Sequence, residues 1–247
     1  MFSLKHIIVL CISVLLIVGL VLLTHKWDFK KQCKALLCVG VVSEIIKIFF
    51  YIMKNEEKFG GILPKTDLPF HLCSIQLLFL IYVTFSKNEK IKRAVVSFML
   101  PSCLIGGAAA LLIPASSAIN YWVITFQYFI YHIAIMVFSI NQMVSKERKS
   151  TITDYVYCLI FLLVLMFVSI YINSVLYDGM QQVNFMYVVG PPQDGLPFLT
   201  DKHGWFVYIM HYAFTVVTCV TLFYIKPIVC AIKEKINSKK HNAQKDA

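Results

Sequence analysis

The sequence has little charge for its length. Only 15% of its 247 residues are Asp, Glu, Lys or Arg, whereas 59% are hydrophobic. Soluble domains carry about a quarter charged residues. The sequence also lacks a Ser- or Gly-rich linker that would separate domains. The composition therefore excludes an ordinary soluble protein and predicts a single domain embedded in lipid.

Simple metal-binding and disulfide motifs are also missing. The chain has eight cysteines, but no two of them form a Cys-x-x-Cys motif, and most lie within hydrophobic windows. No two histidines are four residues apart, the spacing that would place two metal ligands on one face of a helix. We therefore expect neither a disulfide framework nor a zinc knuckle, and no cofactor.

Long apolar runs, by contrast, are abundant. A helix needs about 20 apolar residues to cross a hydrocarbon core of about 30 Å. Seven windows meet this requirement, at 4–24, 35–53, 68–86, 94–113, 121–141, 155–176 and 205–225. The first window lacks a small-residue cleavage site, so we interpret it as a retained helix and not as a signal peptide. The chain is thus predicted to be all-α: a seven-transmembrane-helix bundle over residues 1–232, followed by a basic, disordered cytoplasmic tail at 233–247.

The distribution of basic residues predicts the orientation. The loops after the first, third and fifth windows and the C-terminal tail together carry 17 Lys and Arg, and the opposite side carries five. Because basic residues stay on the cytoplasmic side during insertion, the N-terminus is predicted outside and the C-terminus in the cytoplasm, in a multi-pass plasma-membrane protein. The net charge of +10 lies in these short segments, which would contact anionic lipid headgroups, so we expect no nucleic-acid partner.

Five ionisable side chains lie within the predicted membrane helices. They are Glu44 and Lys47 in the second window, His71 in the third, His132 in the fifth and His211 in the seventh. At a rise of about 1.5 Å per residue, all five lie in the outer half of the bundle, at depths of about 5 to 17 Å. Since such groups are costly in lipid, each suggests a function. Their shared depth predicts a site open to the outer leaflet.

The spacing of these residues limits how they can act together. Glu44 and Lys47, at i and i+3, share a helix face and would form an ion pair, either for packing or for binding substrate. His71 and Cys73, at i and i+2, point to different faces, so they cannot act as a base and a nucleophile within one turn. Ser74 could hydrogen-bond to His71. Alternatively, a histidine on a facing helix, His132 or His211, could activate Cys73 or Ser74.

Five separated strings resemble the YwaF-type bacterial membrane proteins, a family that includes the eukaryotic transmembrane protein 164. The strings are Ser43-Glu44-Ile45-Ile46-Lys47, Leu68-Pro69-Phe70-His71-Leu72-Cys73, Tyr131-His132, Asn184-Phe185-Met186-Tyr187 with Gly190-Pro191, and His211-Tyr212. The resemblance runs from about Gly40 to Tyr212, which is most of the chain. It is moderately specific, because the five strings occur in the same order and at seven-helix spacing.

This resemblance implies an activity on lipids. The eukaryotic relative is regarded as an acyltransferase that moves fatty acyl chains between phospholipids through a cysteine-linked intermediate, with a histidine as base. Its cysteine directly precedes the histidine of the third-helix motif, where this sequence has Phe70. The resemblance therefore leaves several mechanisms open: Cys73 or Ser74 as nucleophile, direct action of His71 on water or an acyl acceptor, or a different activity.

The leading hypothesis is a lipid-modifying enzyme, either a phospholipid acyltransferase or a lipid hydrolase, with membrane lipids as partners and a lipid or acyl donor as substrate. His71 and His132 would be the acid/base pair, and Cys73 or Ser74 the nucleophile. The predicted substrate-binding residues are Glu44, Lys47, Asn184 and His211, of which Asn184 and His211 would stabilise an oxyanion.

Two other classes of function are consistent with the same residues. A metal-dependent membrane hydrolase would use His71, His132 and His211 as zinc ligands, with water as the fourth. A non-enzymatic carrier or receptor for lipids or small molecules would use the long loop from Tyr177 to Gly204 as a lid over a pocket containing Glu44 and Lys47. Against a transporter, the sequence shows neither an inverted repeat nor a broken mid-membrane helix.

Overall fold

The fold is all-helical. A computed structural model describes residues 4–54, 63, 65–114, 121–145, 149–177, 179, 183–192, 196 and 199–245, with side chains up to residue 237. Within these residues there is no β-strand. The helices are α1 (Leu4–Thr24), α2 (Phe29–Lys54), α3 (Leu72–Phe85), α4 (Glu89–Leu112), α5 (Trp122–Val144), α6 (Ile152–Leu176), α7 (Trp205–Phe223) and α8 (Ile225–Lys245).

Six helices in the described part of the chain, α1, α2 and α4 to α7, are long and apolar enough to cross a membrane. α3 is apolar but has only 14 residues. These helices confirm the prediction of an all-α, multi-pass membrane protein. The count of seven spans and the orientation stay predictions.

The packing order places α4 and α5 at the centre of the bundle. In these two helices 56% and 50% of the most apolar window is buried, compared with 11% in α1 and in α6. α5 packs against α1, α2 and α4, whereas α4 also packs against α3 and α6, and α7 lies against α6. The main core cluster contains side chains from α2, α3, α4 and α5, such as Leu36, Leu80, Met99 and Ile135. A catalytic or binding group on α5 is therefore shielded on several sides.

Three helices, α2, α4 and α6, begin earlier than their apolar windows. α2 starts at Phe29 because Asp28 Oδ1 accepts a hydrogen bond from Lys31 N at 2.8 Å, which caps a polar first turn. α4 starts at Glu89 because Asn88 Oδ1 accepts from Ile91 N at 3.2 Å in the same way. Hydropathy windows omit such polar turns, since they detect only the apolar part of a helix.

α3 begins later than predicted. Its apolar window starts at residue 68, but Leu68, Pro69 and Phe70 form a bend and turn, and the helix begins at Leu72. The backbone of His71 is extended, with φ −70° and ψ 152°, so it precedes the helix as its N-cap. His71 and Cys73 therefore lie on opposite sides of a helix boundary.

α4 contains a π-helical turn in its middle, at Ser102–Gly106, directly after Pro101. Proline has no N–H to bond the carbonyl four residues back, which is that of Ser97. The Tyr224 hydroxyl, from the junction between α7 and α8, donates to this carbonyl at 2.6 Å. The hydrogen bond that proline removes from α4 is thus replaced by one from the Tyr224 hydroxyl, a residue distant along the chain.

The small residues of α4 allow a close approach to α5. A Cβ atom added at Gly107 would lie 2.6 Å from Met136 Cγ and 3.3 Å from the His132 carbonyl oxygen. Any larger residue would push α5 away beside His132.

The backbone of the C-terminal segment is helical from Ile225 as far as Lys245, and this helix includes part of the tail predicted at 233–247. The structural reason is the regular spacing of apolar residues along this segment, which is typical of an amphipathic helix.

Candidate active site

A cysteine and a histidine meet between α3 and α5. Cys73, in the first turn of α3, places its Sγ 2.9 Å from Nε2 of His132, in the middle of α5. His132 is only 4% exposed, and Cys73 is partly buried. A thiol within hydrogen-bond reach of an imidazole is the arrangement of a nucleophile with its general base.

The orientation of the His132 ring is determined by its second nitrogen. Nδ1 lies 2.6 Å from the backbone carbonyl oxygen of Tyr128, one turn earlier on α5. A carbonyl oxygen can only accept a hydrogen bond, so Nδ1 carries the proton and Nε2 keeps its lone pair. That lone pair faces the Cys73 thiol, as a proton acceptor must.

Two tyrosines hold the pair in place. The Tyr131 hydroxyl donates to the carbonyl oxygen of Cys73 at 2.7 Å. The Tyr128 ring packs on the His132 ring with centroids 4.2 Å apart, and its hydroxyl donates to the Ala110 carbonyl at 3.0 Å. Sequence reasoning did not identify either tyrosine as a site residue. The available signal is their position on the same helix as His132, which they precede by four residues and by one residue.

Ser74 has a different partner from Cys73. Its hydroxyl donates to Glu44 Oε1 at 2.8 Å, and Lys47 Nζ lies 2.8 Å from Glu44 Oε2. The predicted Glu44–Lys47 pair therefore forms, and Ser74 extends it onto α3. The predicted hydrogen bond from Ser74 to His71 is replaced by this bond to the Glu44 carboxylate. Ser74 is 8% exposed, whereas the side chains of Glu44 and Lys47 are 14% and 15% exposed.

Asp67 adds a second carboxylate near Lys47. It lies in the short 3-10 turn Lys65–Asp67 that precedes α3. Burial raises the pKa of the Asp67 carboxyl, Glu44 raises it further, and Lys47 and the hydroxyl of Thr66 oppose the shift. Lys47 thus pairs with Glu44 and also acts through its charge on Asp67. We call Glu44, Lys47 and Asp67 the charged rim.

His71 belongs to a separate contact. Its ring packs on the rings of Phe185 and Tyr187, with centroids 5.1 and 5.8 Å away, and it hydrogen-bonds to the backbone of Thr66. Phe70 also packs on Phe185, with centroids 5.4 Å apart. The structure therefore places Phe70 and His71 against the loop between α6 and α7, and it is Cys73, one turn later, that contacts His132.

The segment of that loop at residues 183–192 is held by hydrogen bonds from both flanking helices, α6 and α7. Asn173 on α6 donates to the Phe185 carbonyl at 3.1 Å and accepts from Phe185 N at 2.8 Å. The hydroxyls of Tyr208 and Tyr212 on α7 donate to the carbonyls of Tyr187 and Met186. Sequence reasoning identified none of these three residues, although each is a polar side chain in an apolar helix.

The loop is also strained. Met186 and Tyr187 both have φ of 55°, in the left-handed region that residues other than glycine rarely adopt. Such strain persists only where surrounding contacts determine the backbone, and it is concentrated at functional sites. Burial raises the pKa of the Tyr187 hydroxyl, and the nearby Cys73 raises it further.

Two predicted substrate-binding residues have other positions than expected. The Asn184 amide donates to the Gly190 carbonyl at 2.9 Å and accepts from Val189 N at 3.1 Å, so both of its ends are bonded within the loop. His211 is exposed on the surface of α7. Neither residue is brought to the Cys73–His132 pair.

The three histidines of the metal hypothesis do not converge. Among the residues that the structure describes, no group of three or more His, Cys, Asp or Glu side chains is placed to share a metal ion. His71 contacts the α6–α7 loop, His132 contacts Cys73, and His211 is exposed. The geometry gives a thiol–imidazole pair in place of a three-histidine site.

Comparison with known proteins identifies the family. The model of the TMEM164 family matches residues 1–224, almost the whole chain. No curated protein and no solved structure matches. The chain therefore belongs to the TMEM164 family, which confirms the resemblance to transmembrane protein 164.

Proposed function

We propose that this member of the TMEM164 family is a lipid acyl-transfer enzyme in which Cys73 is the nucleophile and His132 the general base. The observation that carries the proposal is the 2.9 Å contact between Cys73 Sγ and His132 Nε2, with Nδ1 anchored on a backbone carbonyl. Ser74 is the weaker candidate for the nucleophile, because its partner is a carboxylate already paired with Lys47.

The first half-reaction transfers the acyl group from a lipid ester to the enzyme. His132 Nε2 takes the thiol proton as Sγ forms a bond to the ester carbonyl carbon. The bond from that carbon to the alkoxy oxygen then breaks, and the imidazolium returns its proton to the departing alcohol, a lysolipid. Cys73 is left as a thioester, and His132 is neutral again.

The second half-reaction transfers the acyl group to an acceptor. Nε2 takes a proton from the acceptor hydroxyl as its oxygen bonds to the thioester carbon, the carbon–sulfur bond breaks, and Sγ regains the proton. If the acceptor is a lipid hydroxyl, the protein is an acyltransferase. If it is water, the protein is a lipid hydrolase. The apolar surroundings of Cys73 and His132 favour a lipid acceptor over water.

The charged rim supports a lipid substrate with a polar headgroup. Glu44, Lys47 and Asp67 lie on the side of Ser74 that faces α2, one residue along α3 from the nucleophile. A headgroup bound there would leave the ester linkage of the same lipid near Cys73. His71, with Phe185 and Tyr187, would close the site from the loop side.

The membrane placement belongs to the same proposal. α3, of 14 residues, rises about 21 Å, and the turn at residues 68–71 would complete its outer end to make a seventh span. With the basic loops and tail in the cytoplasm, the N-terminus is outside and the site opens toward the outer leaflet of the plasma membrane.

A search for the thioester tests this proposal. The purified protein is reconstituted into phosphatidylcholine vesicles, quenched in acid and weighed intact by mass spectrometry. We expect an added acyl mass that neutral hydroxylamine removes and that Cys73→Ala lacks. Cys158→Ala is the matched control, since Cys158 is fully buried among apolar side chains of α4 and α7. It should keep the adduct.

Two results would overturn the proposal in different ways. In the first, the wild-type protein turns over lipid without an adduct on Cys73, and the Ser74→Ala variant loses that turnover. Ser74 would then be the nucleophile. Lipid binding or movement between leaflets without turnover in the wild-type protein would favour the carrier hypothesis.

A further inference from the structure

The C-terminal helix α8 starts where the last apolar helix ends. α7 ends at Phe223, Tyr224 forms the junction, and α8 begins at Ile225. The first turn of α8 is attached to the bundle, since Ile228 packs against a cluster that contains Phe98, Cys158 and Tyr224. α8 therefore leaves the bundle at the edge of the apolar region, on the side of the α6 N-terminus.

α8 has an exposed apolar stripe. Ile225, Val229, Ile232 and Ile236 recur at the spacing of one helix face, and they are 50%, 40%, 54% and 48% exposed. Large aliphatic side chains on a regular face are costly to leave in water, at about 25 cal/mol per Å² of apolar surface. We therefore expect the stripe to be covered by an apolar partner other than the described residues of this chain.

The charges of α8 are arranged around this stripe. At about 100° per residue, Lys226 and Lys233 lie along one flank of the stripe and Lys235 along the other, whereas Glu234 lies on the opposite face. Lysines at the boundary between apolar and polar faces extend their ammonium groups sideways from a buried stem. This arrangement matches a helix that lies in the headgroup region, with its stripe toward the acyl chains and its lysines level with the phosphates.

We infer that α8 is an interfacial helix that lies on the membrane and binds anionic lipid. Two observations select the membrane as the occupant of the stripe. The stripe continues directly from a membrane-spanning helix, and the flanking lysines complement anionic headgroups, each contributing to attraction near the surface. The inference is independent of the proposed chemistry at Cys73.

Hydrogen–deuterium exchange on the full chain tests this inference. The protein is placed, one copy per disc, in nanodiscs of phosphatidylcholine alone or with phosphatidylglycerol. A helix held on the surface keeps its backbone hydrogen bonds, whereas a detached one frays and exchanges quickly. We expect amides 229–237 to exchange about tenfold more slowly in the anionic discs.

Variants separate the contribution of the lysines from that of the apolar stripe. Lys226→Gln/Lys233→Gln/Lys235→Gln should abolish the difference between the two lipids, and Ile232→Ser/Ile236→Ser should remove protection in both. Lys30→Gln/Lys34→Gln, which removes positive charge at the start of α2, is the control and should leave α8 unchanged. Equal exchange in the two lipids, or protection that the triple lysine variant keeps, would overturn the inference. So would protection that appears only in discs with two copies, because a second copy would then cover the stripe.

Discussion

Two polar clusters of the bundle contrast in how completely their buried groups are bonded. In the first, Arg93 on α4 binds Asp154 on α6 through Nε and an Nη atom at 2.8 and 2.9 Å. Asp154 also accepts from Thr151 N and from the hydroxyls of Thr151 and Ser97. In the second, Cys73 and His132 share a single contact, in which the imidazole lone pair faces the thiol.

The difference shows how polar groups that stabilise a membrane bundle can be distinguished from polar groups that are placed to react. Asp154 is 1% exposed and accepts several hydrogen bonds at each oxygen, so no acceptor capacity remains for a substrate. It joins the ends of α4 and α6. His132 is anchored at Nδ1, and its Nε2 lone pair faces the Cys73 thiol, which is the arrangement that a base requires. Four predictions test this contrast.

Removal of the base should have the largest effect. His132→Ala is expected to lower acyl-transfer activity by about 10²–10⁴-fold, because the thiol loses its proton acceptor. Activity is measured as lysolipid release in vesicles, with the unfolding temperature in detergent as a check on folding. His211→Ala, on the exposed face of α7, is the matched control and should keep activity. Equal losses in the two variants would contradict the assignment of His132.

Removal of the carboxylate in the other cluster should affect stability instead. Asp154→Ala removes the carboxylate that bonds Arg93, Thr151 and Ser97, whereas Arg93 itself is 47% exposed and stays solvated. We expect the free energy of unfolding to fall by about 1–3 kcal/mol, without a change in turnover per folded molecule. Glu89→Gln breaks the exposed pair with Lys92, where Glu89 is 79% exposed, and should cost at most about 1 kcal/mol. A lower turnover in folded Asp154→Ala protein would connect this cluster to the chemistry.

Release of the α6–α7 loop should have an intermediate effect. Asn173→Ala removes both hydrogen bonds to the Phe185 backbone, so Phe185 and the His71 ring that packs on it lose their fixed position. Because a buried donor and acceptor are left unpaired, we expect the bound position of the loop to be destabilised by about 1–3 kcal/mol. Activity should then fall by about tenfold. Ser174→Ala, the next residue on α6, should be close to wild type. Unchanged activity in Asn173→Ala would separate the loop from the site.

Loss of the Ser74 hydroxyl should have the smallest effect on the reaction. Ser74→Ala removes one hydrogen bond to the Glu44 carboxylate, worth about 1.5–3 kcal/mol of stability. It leaves the contact between Cys73 and His132 in place, so activity should fall by less than about tenfold. The measurement is the ratio of Ser74→Ala to Cys73→Ala turnover in the same vesicles. A ratio below one would exchange the roles of the two residues.

Much of the architecture could be predicted from the sequence, because hydropathy depends on composition over a long window. Helix ends could not. α2 starts at Phe29, ahead of Lys30 and Lys31, which a hydropathy window excludes and which a cap at Asp28 makes helical. The start of α3 at Leu72 depended on the extended backbone of His71, which no window detects.

The site was predictable in part for a similar reason. The geometry of a helix showed that His71 and Cys73 cannot act together, and it left His132 and His211 as alternatives. Which of the two faces Cys73 depends on how the helices pack, and the close approach of α4 and α5 at Gly107 is a three-dimensional fact. The environment of Asn184 depended on the strained backbone at Met186 and Tyr187, for which the sequence carries no glycine as a signal.

The Tyr224 bond to Ser97 also bears on how the protein is made. The two residues are 127 positions apart, so α4 enters the membrane long before Tyr224 leaves the ribosome. Until then the Ser97 carbonyl, to which Pro101 offers no N–H, lacks its bond from the Tyr224 hydroxyl. One hydrogen bond of this central helix therefore forms only when the chain has been synthesised through the end of α7.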